Sequence, residues 1–380
     1  MNEHMTLSIS ARVSRLRTEL ITRGLDAFLV LIEANRRYLS GYTGEDGQFD
    51  ETAGALLITE TRSILATDSR YDLQAKAEAP GFDIVCYRKG LYQELPQIFS
   101  RLNLKKVGFE SARMSVKNHQ DLIDRLNESP HPTRLVATDN QVESMRVTKD
   151  PEEMAFTQQA IECAQTAFGQ LTQWIRPGMT EKMVARQLEH LMLEGGAEGP
   201  SFPIIVAAGP NSAKPHAVPE ERPINVGEPL LIDWGAIVNG YCSDISRTLI
   251  FGPPDEQFKS IYAIVRKAQA AAIDSIRPGK SAKAVDAVAR NIIDASGFGN
   301  RFGHSLGHGT GLCIHEAPRL SPHSDDTLAA GMIVTVEPGI YLPEWGGVRL
   351  ENQVLITEKG SVSLTSLDLD RCHLPVTGPI

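Results

Sequence analysis

Three absences limit the class of protein before any motif is considered. No apolar run approaches the roughly 18 uncharged residues of a membrane-spanning helix, so we expect no membrane segment. The start of the chain, residues 1–4, has no basic stretch followed by an apolar core, so we expect no secretory signal. The five cysteines are scattered without a CxxC pair, which argues against a disulfide framework and a structural zinc site. A reducing cytoplasm fits these absences best.

Positive charge is also scarce. The 38 lysines and arginines are outnumbered by 47 aspartates and glutamates, which gives a formal net charge of −9. That sign is unfavourable for binding a phosphate backbone or an anionic membrane, so we expect neither nucleic acid nor membrane as a partner. The 380 residues suggest about two domains at roughly 150 residues each.

The first part of the chain has the pattern of an α/β domain with a mixed sheet. Buried-strand runs lie at 27–31, 54–58 and 63–66, and helical patterns lie at 73–79 and 119–126. Turn-forming residues then occur at 129–132 and 149–151. We place the domain boundary between these two stretches, with domains at 1–142 and 150–380.

The second domain begins with a strong helix start and contains an internal repeat. Asp150 is a good N-cap because Pro151 follows it and Glu153 stands three residues later. The tetrapeptide at 175–178 recurs at 276–279, and each copy is followed by a helix cap and a helix of equal length. Strands at 227–233 and 331–337 follow the two copies. The repeat predicts two related halves that face each other, with a site between them.

A hairpin in the second domain carries two acids. The Asn239-Gly240 dipeptide is the strongest short hairpin signal and predicts that Val238 faces Tyr241. In that register Asp233 and Asp244 lie on one face as diagonal neighbours, and Gly235 leaves room for a shared cation. Taken alone, the pair is better explained as two aspartates that cap loops at the strand ends.

The second half adds further ligand types. Glu337 ends a buried strand, Glu351 lies on a third strand between apolar neighbours, and His308 lies in a glycine-rich stretch. Four carboxylates and one imidazole suit Mn²⁺, Co²⁺, Fe²⁺ or Zn²⁺ better than a soft metal. Four negative charges are more than one divalent ion can balance, so the pattern predicts two ions and a two-metal hydrolase.

These residues resemble the pita-bread metallopeptidases, the family that includes methionine aminopeptidase, aminopeptidase P and prolidase. The motifs are DWGA at 233–236, SDISRT at 243–248, GHGTGL at 307–312, VEPG at 336–339 and VRLEN at 348–352. The segment NRRYLSGYTG at 35–44 looks like the N-terminal domain of the prolidase and aminopeptidase P branch. The resemblance implies an α/β (α+β) protein with a creatinase-like N-terminal domain and a pseudo-twofold pita-bread catalytic domain.

The resemblance also implies roles for single residues. Asp233 would chelate one metal ion, Asp244 and Glu351 would bridge, and His308 and Glu337 would hold the other. The non-ligand histidines that surround the reacting carbonyl would be His216, His304 and His315. Asn352 departs from the family, where relatives often have Asp, and this puts the tuning of the site in doubt more than its chemistry.

The activity implied is hydrolysis of Xaa-Pro peptide bonds by a hydroxide that bridges two divalent ions, Mn²⁺, Co²⁺ or Zn²⁺. The substrate would be a dipeptide or the N-terminus of a longer peptide, and the enzyme would be a homodimer. We hypothesise that Glu337 moves the proton from water towards the leaving nitrogen. Arg349 could be a counter-ion for the acids or a substrate and proton-shuttle contact.

Several other interpretations stay open at this point. His216 and His304 could each satisfy only backbone groups, and Cys242 and Cys313 are expected to pack rather than to act as nucleophiles. The chain could be a metal-dependent hydrolase or lyase for a small non-peptide substrate, or a non-catalytic protein-binding relative. Creatinase has the same fold but is metal-free and has lost the acidic ligands, which this chain retains.

Overall fold

The computed structural model describes residues 3–48, 51–129 and 131–376, with side chains from Ser8 onward. Met1, Asn2 and Pro130, which belong to stretches used in the sequence analysis, lie outside the described residues. The chain divides into two compact units, Met1–Arg146 and Val147–Ile380. The domain limits 1–142 and 150–380 stay a prediction.

The first unit is a mixed sheet with helices, as its pattern predicts. The elements in chain order are α1 (Glu3–Arg23), β1 (Ala27–Val30), α2 (Glu33–Ser40), β2 (Ala55–Thr59), β3 (Ser63–Thr67), α3 (Asp72–Glu78), β4 (Asp83–Cys86), α4 (Leu91–Arg101), β5 (Lys106–Glu110), α5 (Val116–Asn127), β6 (Arg134–Thr138) and α6 (Glu143–Arg146). The strand order within the described residues is β4-β3-β2-β1-β5-β6. The pairs β1–β2 and β2–β3 are antiparallel, whereas β3–β4, β1–β5 and β5–β6 are parallel.

Glu110, at the end of β5, is a buried carboxylate with a structural role. It accepts hydrogen bonds from the backbone N–H groups of Leu31 and Ile32 and from the Asn35 side-chain amide, each at 2.6 Å. Burial raises the pKa of Glu110 to about 7, although these donors act in the opposite direction. The carboxylate thereby satisfies orphan donors where α2 begins.

The second unit contains the remaining elements. In chain order they are α7 (Pro151–Trp174), α8 (Glu181–Glu194), β7 (Gly199–Pro200), β8 (Ile205–Ala208), β9 (Pro229–Trp234), β10 (Ala236–Val238), β11 (Tyr241–Cys242), β12 (Ile245–Phe251), α9 (Glu256–Ser275), α10 (Ala282–Ala295), β13 (Gly307–Gly309), β14 (Glu316–Leu320), β15 (Ile333–Val336), β16 (Gly339–Leu342), β17 (Gly346–Arg349), β18 (Asn352–Ile356), β19 (Ser361–Ser363) and β20 (His373–Leu374), with short 3₁₀ turns at Gly209–Ala213 and Gly299–Arg301. The two largest sheets have the orders β20-β12-β9-β8 and β14-β13-β15-β18-β19.

The start of α7 confirms the predicted capping box. The Asp150 carboxylate accepts hydrogen bonds from the N–H groups of Glu152 at 3.0 Å and Glu153 at 2.9 Å. The Glu153 carboxylate in turn accepts one from the N–H of Asp150 at 3.0 Å. Because both orphan N–H groups and the N-cap backbone are satisfied, the helix begins at Pro151.

The internal repeat is also visible in the second unit. Helices α8 and α10 both contain 14 residues, and each follows a glycine with positive φ, 85° at Gly178 and 80° at Gly279. Thr180 and Ser281 occupy the N-cap positions of α8 and α10, as predicted. The Thr180 side chain accepts a hydrogen bond from the N–H of Met183, whereas the Ser281 side chain makes no cap hydrogen bond. Each half has its own apolar core, one around Trp234 and the other around Val334.

The predicted hairpin register is confirmed at both ends. Val238 pairs with Tyr241, and Asp233 pairs with Ser246. The reason for Gly235 differs from the predicted one, because a Cβ there would lie 1.8 Å from the Ser243 carbonyl oxygen. The glycine therefore allows the close approach of the neighbouring backbone.

Candidate metal centre and active site

The five predicted metal ligands line one cleft of about 360 Å³ in the second unit. They lie at strand ends and crossings: Asp233 on β9, Asp244 just before β12, His308 on β13, Glu337 just after β15 and Glu351 between β17 and β18. The strand predicted around Glu351 is wrong, because it breaks at 350–351. At the break the N–H of Glu351 donates to the carbonyl of Ser246 on β12 at 3.1 Å, and this contact turns the acid towards the first half.

His308 faces the acids with one ring nitrogen. Its Nε2 lies 3.5 Å from Asp244 Oδ2 and 3.6 Å from Glu337 Oε1. Its Nδ1 lies 3.1 Å from the Gly309 carbonyl, which can only accept, so Nδ1 carries the hydrogen and Nε2 keeps its lone pair for a cation. Burial lowers the pKa of His308 to about 4, so the imidazole is neutral at neutral pH.

Three ligand atoms are close enough to bind one cation. Asp244, His308 and Glu351 each offer an atom, and these atoms all lie within 4.8 Å of one another. The pKa values of Asp244 and Glu337 are both raised well above the ordinary range. Burial is the larger cause, and repulsion from the Glu351 carboxylate is the second. Burial, followed by repulsion from Asp233, raises the pKa of Glu351 to about 8. A cluster that repels itself in this way is stabilised by bound cations.

Two carboxylate oxygens in the cluster fit metal ligands directly. Asp233 Oδ1 and Glu351 Oε1 are buried and have no hydrogen-bond partner in the described part of the chain. A buried polar atom without a partner is costly, and a divalent cation would satisfy both oxygens. The donor set of carboxylates and one imidazole therefore fits divalent metal ions.

Arg349 is buried and its donors are used by the protein. It donates to Asp233 Oδ2 at 2.5 Å, to Ser246 Oγ at 2.9 Å, to Tyr341 Oη at 2.9 Å and to the Pro215 carbonyl at 3.2 Å. It does not belong to the lining of the cleft. This geometry favours the counter-ion interpretation of Arg349 over direct contact with substrate.

The three predicted non-ligand histidines occupy different positions. His216 and His315 are exposed and line the cleft, and the His315 ring lies 4.4 Å from that of His308. His304 does not line the cleft. Both of its ring nitrogens face other protein groups, since Nδ1 lies 2.8 Å from the Ser305 carbonyl and Nε2 lies 2.8 Å from Tyr341 Oη. Burial lowers the pKa of His304 to about 4, so the ring is neutral and its Nε2 accepts a hydrogen bond from the Tyr341 hydroxyl. Its role at the reacting carbonyl stays a prediction.

The glycines beside His308 allow three strands to meet. A Cβ at Gly307 would lie 2.0 Å from the Thr335 carbonyl oxygen, and one at Gly309 would lie 2.2 Å from that of Ala317. The stretch is therefore a strand packed between β14 and β15.

Sequence reasoning missed three residues, two of which hold ligands and one of which joins His304 to Arg349. Ser246 donates its hydroxyl hydrogen bond to Glu351 at 2.7 Å. Gln353 accepts from the N–H of Asp244 at 2.9 Å and donates to Thr310 at 2.8 Å. The Tyr341 hydroxyl donates a hydrogen bond to His304 Nε2 and accepts one from Arg349, so it links these two side chains. Ser246 and Gln353 each lie two residues after a predicted ligand, so the alternation of strand faces is a signal that could have found them.

Two other residues noted in the sequence have structural contacts. Asn352 accepts a hydrogen bond from Arg247 at 3.0 Å and donates to Ser363 at 2.9 Å. Cys242 is buried, and burial raises the pKa of its thiol to about 12, so the thiol stays neutral. A neutral buried thiol is typical of packing.

Comparison with known proteins agrees with this geometry. Residues 155–358 match the sequence model of metallopeptidase family M24, and residues 12–148 match that of the creatinase/prolidase N-terminal domain. The chain belongs to metallopeptidase family M24. The predicted resemblance to pita-bread metallopeptidases and the predicted fold class are thereby confirmed.

Individual M24 relatives cover nearly the whole chain. An Xaa-Pro dipeptidase of Pyrococcus horikoshii is 37% identical over 90% of this chain and 93% of its own length. The structure of an Xaa-Pro dipeptidase from Bacillus anthracis is 38% identical, with a TM-score of 0.89, and the match covers 96% of this chain and 100% of that one. An X-Pro aminopeptidase from Thermotoga maritima is 36% identical, with a TM-score of 0.84, over 93% and 98% of the two chains.

The M24 family implies divalent metal ions, which agrees with the donor set described above. Within the described residues, none of the helices combines the length and the apolar character needed to cross a bilayer.

Proposed function

We propose that this M24 protein hydrolyses Xaa-Pro peptide bonds in short peptides. The observation that carries the proposal is the buried cluster of four carboxylates and one imidazole, in which two carboxylate oxygens lack a partner among the described residues. Relatives that are 35–38% identical are named Xaa-Pro dipeptidases, and a similar structure is named an X-Pro aminopeptidase. Both names support an Xaa-Pro bond as the substrate.

Two divalent ions would be held by the five ligands. We assign Asp233 to one ion, His308 and Glu337 to the other, and Asp244 and Glu351 to both. When bound, the ions would supply Lewis acidity that polarises the scissile carbonyl and lowers the pKa of water. The arrangement of Asp244, His308 and Glu351 around one point supports this assignment.

The chain itself supplies the proton transfer. Glu337 borders the cleft, and its Oε1 lies 3.6 Å from His308 Nε2 within the ligand cluster, a position that suits a general base acting on water bound there. In our proposal the Glu337 carboxylate takes the proton from the attacking water and passes it to the leaving nitrogen. His216 and His315, both exposed in the cleft, would donate hydrogen bonds to the oxygen on which negative charge develops.

The cleft also limits the size and polarity of the substrate. Besides the acids and histidines, its lining includes the apolar residues Phe202, Ile205, Val218 and Ile314. An apolar wall suits a proline ring or an aliphatic side chain, and a volume of about 360 Å³ suits a short peptide segment.

The test is an assay of the purified chain with Mn²⁺, Co²⁺ or Zn²⁺ against Ala-Pro, a longer Xaa-Pro peptide and a peptide that begins with Met. Cleavage of Ala-Pro alone indicates a dipeptidase, and cleavage of the longer Xaa-Pro peptide indicates an aminopeptidase. Metal binding without cleavage of any peptide would refute the proposal and favour a non-peptide substrate.

Three further properties are proposed, the metal and the oligomeric state from the family resemblance and the location from the scattered, unpaired cysteines. We propose Mn²⁺, Co²⁺ or Zn²⁺ as the native metal, a homodimer as the oligomeric state and the cytoplasm as the location. Metal analysis of protein purified without added metal, light scattering in solution and cell fractionation test the three properties in turn.

A further inference from the structure

Glu181, the first residue of α8, is a buried carboxylate outside the ligand cluster. Its exposed fraction is 0%, although carboxylates are seldom fully buried. Its two oxygens accept three hydrogen bonds: from the N–H of Ala208 at 2.7 Å, from the Asn211 side-chain amide at 2.7 Å and from the N–H of Glu220 at 2.8 Å. The M24 ligand set does not use this acid.

The three donors belong to the two ends of one loop, residues 209–220 with its flanks, which we call the His216 loop. Ala208 ends β8 just before the loop, Asn211 lies in the 3₁₀ turn that starts it, and Glu220 ends it. Between these points the loop carries His216 and Val218 to the wall of the cleft. One side chain therefore fastens both ends of the segment that presents His216.

A carboxylate suits this position better than a neutral amide. Oε1 accepts from Ala208, and Oε2 accepts from both Asn211 and Glu220. A glutamine would place an NH₂ group against at least one of these donors. The position at the N-terminus of α8 also favours negative charge there. Burial raises the pKa of Glu181, and the donors oppose that shift.

The middle of the loop is held from the side of the metal centre. Arg349, which binds Asp233, also donates to the carbonyl of Pro215 at 3.2 Å. The His216 ring itself is exposed. Its position is thus set by the loop backbone, with Glu181 at the two ends and Arg349 near the middle.

We propose that Glu181 is a positioning residue that holds His216 in place at the cleft. The inference rests on the proposed function, in which His216 acts on the reacting carbonyl. Displacement of a catalytic group by about 1 Å can cost about 100-fold in rate. Loss of the Glu181 contacts should therefore lower turnover although Glu181 touches neither substrate nor metal ligand.

The decisive experiment is a double-mutant cycle with Glu181→Gln and His216→Ala in the metal-loaded enzyme. We expect Glu181→Gln to lower kcat by about tenfold or more with a smaller change in KM, because His216 acts on charge that develops during the reaction. In the His216→Ala background, Glu181→Gln should lower kcat less than twofold. Glu110→Gln is the matched control, since Glu110 also accepts from two backbone N–H groups and one asparagine amide but lies in the first unit. Its kcat should stay at the wild-type value.

Hydrogen exchange of the metal-free proteins gives a second measurement. Glu181→Gln should speed exchange of the Ala208 and Glu220 amides, and Glu110→Gln should speed that of Leu31 and Ile32 instead. If Glu181→Gln fails to fold, Asn211→Ala can replace it, because it removes one of the three donors. Asn211→Ala should give a smaller loss of kcat, and this loss should disappear in the His216→Ala background.

The outcomes separate the two proposals. A wild-type enzyme that cleaves no Xaa-Pro peptide refutes the proposed function, and unchanged exchange at Ala208 and Glu220 refutes the Glu181 contacts independently. If the wild type is active, a wild-type kcat in Glu181→Gln overturns the inference. Losses that multiply in the double variant overturn it as well, because Glu181 would then act by a route other than His216.

Discussion

Glu351 should make the metal-free protein less stable as the pH rises, and Glu351→Gln should abolish that effect. Burial raises the pKa of Glu351 in the folded protein from 4.5 to about 8. A carboxyl whose pKa is raised on folding contributes its stability below the unfolded pKa and loses it as the pH rises through the folded pKa. The contribution of Glu351 to the free energy of unfolding is therefore lost between about pH 4.5 and about pH 8.

The magnitude follows from linkage. A tenfold difference in proton affinity is worth about 1.4 kcal/mol. Between pH 6 and pH 8 the folded protein must release the Glu351 proton, whereas the unfolded chain has already lost it, so the free energy of unfolding should fall by about 2 kcal/mol. Asp244 and Glu337, whose pKa values are also raised, act in the same direction.

Buried histidines act in the opposite direction. Burial lowers the pKa of His304 and His308 to about 4, so the unfolded chain binds their protons at pH 6 and stability rises from pH 6 to pH 8. The comparison of wild type with Glu351→Gln removes this contribution, since both proteins contain the same histidines.

The assay is chemical or thermal unfolding of both proteins after treatment with a chelator, at pH 6 and pH 8. The free energy of unfolding of Glu351→Gln minus that of wild type, which we call the advantage of the variant, should be about 2 kcal/mol larger at pH 8 than at pH 6. This corresponds to about 5 °C in Tm for a domain of this size. With saturating metal the advantage should disappear, because the wild-type carboxylate is then neutralised. An equal difference at both pH values would refute the packing of the acid cluster described here.

Three further changes test the site and the fold. Glu337→Gln should lower kcat by about 10² to 10⁴ with saturating metal, and near-normal turnover would refute the proton-transfer role. Gly235→Ala should lower the free energy of unfolding by more than about 3 kcal/mol, because its Cβ would lie 1.8 Å from the Ser243 carbonyl oxygen. The control is Gly169→Ala in α7, whose Cβ would meet no atom within 4 Å and which should raise the free energy of unfolding by about 0.5 kcal/mol or more. Asp150→Ala should cost about 1 kcal/mol in denaturant unfolding through loss of the α7 cap, and an unchanged midpoint would contradict that role.

Features encoded by neighbouring residues were predictable from the sequence. The capping box at Asp150 and the turn at Asn239-Gly240 follow local rules of backbone hydrogen bonding, and both occur as predicted. The register of the hairpin then fixes which face Asp233 occupies. These features depend on few degrees of freedom, so sequence spacing is sufficient.

Features that depend on distant partners were not predictable in the same way. The partners of Arg349 come from four separate segments, which explains why the sequence left two interpretations open. The involvement of His304 with Tyr341 and the three contacts of Glu181 likewise require the tertiary structure. The break in the strand at Glu351 follows from its hydrogen bond to Ser246, which lies 105 residues away in the sequence.

The division of the ligands between two halves also has a consequence for biosynthesis. Asp233 and Asp244 leave the ribosome long before His308, Glu337 and Glu351, and neither half alone carries the whole set. A nascent chain that has folded only its first half therefore presents two of the five predicted ligands. Ser246 and Gln353 join the two sets only after the last strands have been added. A metal site built from all five predicted ligands would accordingly be complete only once both halves of the second unit have folded.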